Sequence, residues 1–104
     1  MKRLLLLAAA YAVSVNAWGA DAAAGKEKAK VCAACHGESG VSAAAEFPKI
    51  AGQHYDYMVR AMTDYKTGAR KDPIMAAQVA NLNRRDIQDL AAYFASQPGV
   101  VLKY

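Results

Sequence analysis

The 104-residue chain contains only two cysteines, three prolines and one tryptophan. Two cysteines exclude a framework of several disulfides, which is how many small exported domains compensate for a small core. Cys32 and Cys35 are also so close in sequence that a bond between them would close a very short loop and add little stability. A domain of this size therefore needs another source of core, and a large flat cofactor would supply it.

The chain also lacks a dense run of basic residues with aromatic residues between them. It carries 13 Lys and Arg residues against nine Asp and Glu, for a formal net charge of +4. A nucleic-acid-binding surface is usually far more basic than this and concentrates its charge on one face. The composition therefore argues against a nucleic-acid partner.

The longest apolar run lies at the N-terminus and is too short to cross a membrane. Lys2 and Arg3 precede the uncharged run Leu4–Val15, and small residues follow it, which is the order found in secretory signal peptides. A spanning helix needs roughly 20 apolar residues. We predict that residues 1–20 are a signal peptide cut between positions 17 and 20, and that residues 21–104 form one domain without stable membrane insertion.

Apolar periodicity predicts three main helices and no strand. The helices are expected from about Asp21 to Cys32, from about Gln53 to Thr67 and from about Arg84 to Ser96. The second and third have apolar side chains at the spacing of a buried stripe. A further short helical turn is expected around residues 76–80. The sequence therefore predicts an all-α domain.

The segment Cys32-Ala33-Ala34-Cys35-His36 has the C-x-x-C-H spacing of covalent haem attachment. At a helix end, thiols three residues apart share a face, so both can reach the vinyl groups on one porphyrin edge while the adjacent imidazole reaches the iron. A redox dithiol of the thioredoxin type would need a strand–helix context. A zinc site would need two more ligands, for which only His36 and His54 are available. The motif therefore favours one haem c held by two thioethers.

Beyond the C-x-x-C-H motif, several short segments of residues 21–104 resemble those of a known family. They are Gly25-Lys26, Cys32–Gly37, Phe47–Gln53, Tyr65–Arg70, Pro73–Met75 and Asp89–Phe94. In these segments, and in their order, the chain resembles class I cytochromes c of the short single-haem bacterial periplasmic type, and one domain of the dihaem periplasmic cytochromes c. The resemblance implies a class I cytochrome c fold, with three main helices and a short helical turn around one covalently bound haem. It also implies that Gly25 and Ala29 cross against Leu90, Tyr93 and Phe94.

The second axial ligand of the iron is less directly indicated than His36. Met58 and Met62 lie on the apolar stripe of the second helix, and we interpret them as core packing. Met75 lies in a loop that could close over the distal haem face, and the resemblance places the family's ligand segment there. We therefore expect His36 and Met75 to bind the iron. His54 is the competing candidate, although a lone histidine at a helix start is more often a capping or surface residue.

In the class I cytochromes c that the chain resembles, a proline carbonyl in the loop after the motif accepts a hydrogen bond from the proximal imidazole. Counted without gaps, the position of that proline holds Ala45, and Pro48 lies three residues further on. The sequence therefore leaves the acceptor for His36 unassigned.

These assignments predict an electron-transfer protein and not an enzyme. An iron with both axial positions filled has no open site for a substrate, so one-electron exchange at the porphyrin edge is the chemistry that remains. We expect a periplasmic carrier that docks transiently with donor and acceptor proteins of a respiratory chain. The alternative is a dedicated haem subunit of a periplasmic dehydrogenase complex. The sequence leaves the oligomeric state open.

Overall fold

The computed structural model describes residues 19–99, and each regular element among them is helical. In chain order the elements are α1 (Ala22–Lys28), a 3₁₀ turn (Ala29–Val31), α2 (Ala33–His36), α3 (Tyr55–Thr67), α4 (Pro73–Val79) and α5 (Arg84–Ser96). This confirms the all-α prediction for the described part of the chain. The predicted signal peptide lies outside it, apart from Gly19 and Ala20, as do residues 100–104.

Within residues 19–99, no helix is both long enough and apolar enough to cross a membrane.

The second and third predicted helices agree closely with the structure, because their ends are set by local signals. At the start of α5, the Asn83 side chain accepts a hydrogen bond from the Asp86 amide at 2.8 Å. The Asp86 carboxylate in turn accepts one from the Asn83 amide at 2.9 Å. This reciprocal capping box fixes the first turn. α3 begins at Tyr55, two residues later than predicted, and ends where Gly68 adopts a left-handed conformation with φ of 89°.

The first predicted helix is shorter than expected. A continuous helix to Cys32 is wrong, because α1 ends at Lys28 and a 3₁₀ turn follows it. In that turn the Cys32 amide donates to the Ala29 carbonyl at 2.9 Å, the i→i+3 pattern of a tightened backbone. Ala29 is buried at this junction. The tightening comes directly before the thiol motif, and apolar periodicity does not reveal it.

α1 and α5 cross in close backbone contact at Gly25. A Cβ atom at this position would overlap the backbone carbonyl of Asp89 and lie 2.9 Å from the Cβ atom of Tyr93. Only glycine therefore allows this approach. The structure confirms the expected crossing, and Ala29 joins α5 side chains in the same core.

The core is built from small, aliphatic and aromatic side chains of α3, α4, α5 and the 3₁₀ turn. Its buried members are Ala29, Met58, Met62, Val79, Ile87, Leu90, Ala91, Tyr93 and Phe94. The rings of Tyr93 and Phe94 meet edge to face, with their centroids 5.1 Å apart. Met58 and Met62 are 6% and 7% exposed, so their interpretation as core residues is confirmed.

A buried carboxylate joins α1 to α5, which the sequence did not indicate. Asp89 is only 2% exposed. Its oxygens accept hydrogen bonds from Lys28 Nζ at 2.7 Å, Arg85 Nε at 3.0 Å and the Asp21 amide at 2.8 Å. Burial acts to raise the pKa of Asp89, and the hydrogen bonds from Lys28 and Asp21 act to lower it. With the nearby cationic charges, they hold this pKa below its ordinary value.

Asp89→Asn tests this network. We expect the variant to lose about 2 kcal/mol of unfolding free energy at pH 7, because charged groups take part in the lost hydrogen bonds. A carboxylate whose pKa is lowered by folding stabilises the fold above its unfolded pKa, and this contribution is lost as pH falls through the folded value. The difference from wild type should therefore shrink below about pH 4. Denaturant unfolding at pH 7 and pH 3 measures it.

Glu27→Gln is the matched control for that experiment. Glu27 pairs with Lys30 at 2.9 Å, but the two side chains are 69% and 73% exposed. Exposed ion pairs contribute little to stability. Equal stability of the Asp89 and Glu27 variants at pH 7 would contradict a stabilising role for the Asp89 network.

Candidate functional site

The C-x-x-C-H motif closes one helical turn. Cys32 lies directly before α2, and Cys35 and His36 are its last two residues. The amides of Cys35 and His36 both donate to the Cys32 carbonyl, at 3.2 and 2.9 Å. The two thiols therefore lie one turn apart, and the imidazole follows immediately.

Both thiols are free and half-buried. Burial raises the pKa of the Cys32 thiol. A raised pKa leaves less thiolate, and thiolate is the form that attacks disulfides. Since the described residues also contain no strand beside the motif, the structure does not favour a thioredoxin-type redox dithiol.

His36 is buried, and the loop after α2 fixes its ring. Its Nδ1 atom lies 2.7 Å from the carbonyl oxygen of Pro48. A carbonyl oxygen can only accept, so Nδ1 carries the proton and Nε2 is the unprotonated nitrogen of the neutral ring. A bond of this kind fixes the ring orientation and makes a metal-binding imidazole more basic. The lone pair that could bind a metal is therefore on Nε2.

Pro48 is thus the acceptor that the sequence left unassigned. The Gly40 carbonyl accepts hydrogen bonds from the amides of Ile50 and Ala51, at 2.8 and 3.1 Å. These bonds hold the far end of the loop beside Gly40, and Pro48 comes only two residues before Ile50. Counting without gaps led to Ala45 because it ignores differences in loop length, which surface loops tolerate readily.

The loop closure depends on glycine at position 40. Gly40 has φ of 91°. A Cβ atom there would also come within 2.8 Å of the Ala51 nitrogen and 3.0 Å of a Phe94 ring carbon. Both the backbone conformation and the available space therefore require the absence of a side chain.

Met75 lies on α4 and not in a loop, so that expectation is wrong. Pro73 is the first residue of α4, where proline is favoured because its missing amide is not needed. The Asp72 carboxylate caps the helix by accepting hydrogen bonds from the amides of Ile74 and Met75, at 3.0 and 3.2 Å. The helical turn predicted around residues 76–80 therefore starts earlier and includes Met75. The Asp72-Pro73 pair was a local signal for this start.

Cys32 and apolar side chains from several other segments pack against the core. Seven partly buried side chains pack against the core cluster, and they are Cys32, Ile50, Tyr55, Val59, Tyr65, Met75 and Leu82. A thiol from the motif and a thioether sulfur from α4 thus lie against one core. Thiols, an imidazole and a methionine sulfur are the donor types that hold a c-type haem.

His54, the competing ligand candidate, is exposed. It occupies the N-cap position of α3, and its side chain makes no capping hydrogen bond.

Residues 22–98 match the family profile described as Cytochrome c. The chain belongs to the cytochrome c family. Covalently attached haem c is the cofactor of cytochrome c domains. Membership of this family and the all-helical fold confirm the resemblance drawn from the sequence.

Two relatives differ in the share of their own length that this chain covers. Cytochrome c4 from Pseudomonas aeruginosa is 52% identical over 77 residues, which are 74% of this chain and 38% of that protein. Cytochrome c-554(548) from Halomonas halodenitrificans is 39% identical over 80 residues, which are 74% of this chain and 96% of that protein. The chain therefore spans about two fifths of the first relative and nearly all of the second.

A solved structure shares the described fold over about half of its own chain. The crystal structure of reduced recombinant cytochrome c4 from Pseudomonas stutzeri superposes with a TM-score of 0.75 at 41% identity. The match covers 80% of this chain and 48% of that chain. The described fold therefore corresponds to about half of this cytochrome c4.

Gly40→Ala tests the closure of the loop that carries Pro48, with Gly68→Ala as its matched control. Both glycines have positive φ, and that conformation costs alanine about 1–2 kcal/mol. A Cβ atom at Gly68 meets nothing within 4 Å, whereas one at Gly40 would press on Ala51 and Phe94. We expect Gly40→Ala to lose at least about 1 kcal/mol more unfolding free energy than Gly68→Ala. Equal losses in denaturant unfolding would contradict the steric argument.

Proposed function

We propose that the chain carries single electrons through one haem c. In this proposal Cys32 and Cys35 form the two thioether bonds, and His36 and Met75 are the axial ligands. The observation that carries it is the buried His36 ring, which lies beside two free thiols and has Nδ1 bound to the Pro48 carbonyl. Membership of the cytochrome c family supports haem c as the cofactor.

When bound, the haem would supply one-electron exchange between ferric and ferrous iron. The residues of this chain hold its ligands in place from two sides. The Pro48 carbonyl orients His36. The Asp72 cap fixes the start of α4, and Lys66 Nζ donates to the Ala80 carbonyl just beyond its end, at 2.9 Å. Ligands held in this way resist rearrangement between oxidation states.

Such an arrangement suits electron transfer better than catalysis on a substrate. With His36 and Met75 both on the iron, a substrate would have no open position to occupy. Electron-transfer complexes are usually small and transient. We therefore propose a carrier that docks briefly with redox proteins, and exposed lysines such as Lys26, Lys49 and Lys71 would favour acidic partners.

We also propose that the protein works in the periplasm, between donor and acceptor proteins of a respiratory chain. The support is the signal-peptide pattern of residues 1–20, which lies almost wholly outside the described residues. A dedicated subunit of a dehydrogenase complex would instead remain bound to its partner during purification, whereas a free carrier would elute alone from a size-exclusion column.

Replacement of each cysteine tests the attachment. The chain is produced in a host that matures c-type cytochromes and run on a denaturing gel stained for haem. We expect the wild type to stain, Cys32→Ser and Cys35→Ser to lose most of the stain, and the double variant to lose it completely. Serine cannot form a thioether, so covalent retention depends on both thiols.

Ala34→Ser is the matched control, because it adds a hydroxyl at an exposed position inside the same motif. It should keep the haem stain of the wild type. A wild-type chain that folds without stain and at the mass of the bare polypeptide would overturn the proposed function.

Met75→Leu tests the second axial ligand, since leucine keeps the volume and removes the sulfur. We expect loss of the weak sulfur-to-iron absorption band, readier binding of carbon monoxide by the ferrous protein, and a lower midpoint potential. The potential should fall because His/Met ligation raises it. Visible spectra and a redox titration measure these effects.

Met62→Leu makes the same chemical change at a core methionine that is 7% exposed. It should leave the band, the carbon monoxide response and the potential unchanged. A Met75→Leu protein with wild-type spectra and potential would show that Met75 is not the ligand.

A further inference from the structure

Ser42 is the one buried residue of segment 41–49, in which every other residue is exposed or half-buried. It is only 3% exposed. A buried hydroxyl is costly unless it forms hydrogen bonds. The Ser42 Oγ atom donates to the Ala44 carbonyl at 2.8 Å and accepts from the Ala44 amide at 3.1 Å. The hydroxyl therefore serves the backbone of its own loop.

Ala44 connects Ser42 to the part of the loop that faces the histidine. The Phe47 amide donates to the Ala44 carbonyl at 3.2 Å. Pro48 follows Phe47 directly, and its carbonyl accepts the hydrogen bond from His36 at 2.7 Å. One connected set of hydrogen bonds and peptide links thus runs from the Ser42 hydroxyl to the imidazole.

Pro48 has few contacts of its own that could fix the direction of its carbonyl. It has no amide hydrogen to donate, and its side chain is exposed. The direction of its carbonyl therefore depends on the backbone on either side. The bonds from Ile50 and Ala51 to Gly40 hold one side, and the turn organised by Ser42 holds the other.

We propose that Ser42 is a positioning residue for His36, because its hydroxyl sets the turn that presents the Pro48 carbonyl to Nδ1. The inference rests on the proposed function, since the strength of this hydrogen bond matters for a potential only when His36 binds haem iron. Without the hydroxyl, the half-buried Ala44 amide loses its partner and the loop relaxes. The bond to Nδ1 then weakens, and the imidazole becomes a poorer donor to the iron.

Ser42→Ala in the haem-loaded protein tests the proposal. In the ferrous state, which is diamagnetic for a low-spin haem, we expect the ring N–H of His36 to exchange with solvent about tenfold faster than in the wild type. We also expect the midpoint potential to shift to a more positive value, because a weaker donor stabilises ferric iron less. Proton NMR and a redox titration give the two readouts. Ser42→Thr keeps the hydroxyl and should restore both towards wild-type values.

Ser96→Ala is the matched control. Its hydroxyl also donates to a backbone carbonyl, that of Tyr93 at 2.7 Å, but it lies at the end of α5 outside the loop. It should change neither readout. A purely structural role of Ser42 would lower the unfolding temperature without altering ring N–H exchange or the potential.

Wild-type exchange and potential in haem-loaded Ser42→Ala would overturn the inference and leave the proposed function standing. If Ser42→Ala does not accumulate, Ser42→Cys replaces it, because a thiol is a much weaker hydrogen-bond donor than a hydroxyl. It is judged by the same two readouts. A wild-type chain without haem would overturn the proposed function and this inference together.

Discussion

The hydrogen bond from Nδ1 of His36 to the Pro48 carbonyl is the interaction on which the site depends. Two thiols and an imidazole within one helical turn would still allow the ring to rotate or to exchange tautomers. A carbonyl 2.7 Å from Nδ1 removes both freedoms and leaves Nε2 as the free nitrogen. The loop that follows α2 is folded so that this acceptor reaches the ring, with Gly40 closing its base and Ser42 buried inside it.

The helices build one core, against which both Cys32 and Met75 pack. α1 and α5 are joined by a close backbone contact at Gly25 and by the buried carboxylate of Asp89. α4 packs on α3, and its ends are held by Asp72 and Lys66. Cys32 and Met75 thus pack against the same core although they come from different segments of the chain.

Local signals allowed much of the helical fold to be predicted. The bounds of α5 follow from Asn83 and Asp86, which cap one another across a single turn. The end of α3 follows from Gly68, because a left-handed residue stops a helix. Asp72 and Pro73 are a local signal for the start of α4, which places Met75 on a helix and not in the predicted loop. The 3₁₀ turn before Cys32 left no such signal in the sequence.

The sequence by itself determined the helical class, the bounds of the last main helix and the spacing of thiols and imidazole, because each depends on residues within a turn or two of one another. Only the tertiary structure decided that Pro48 orients His36 and that Asp89 collects its partners from α1 and α5. The sequence also gave no reason to single out Ser42 as the buried residue of its loop. These contacts depend on how far a loop extends before it returns and on which helices meet. Spacing along the chain does not specify either, because loop length varies at little cost and a buried polar group can find its partners on any neighbouring element.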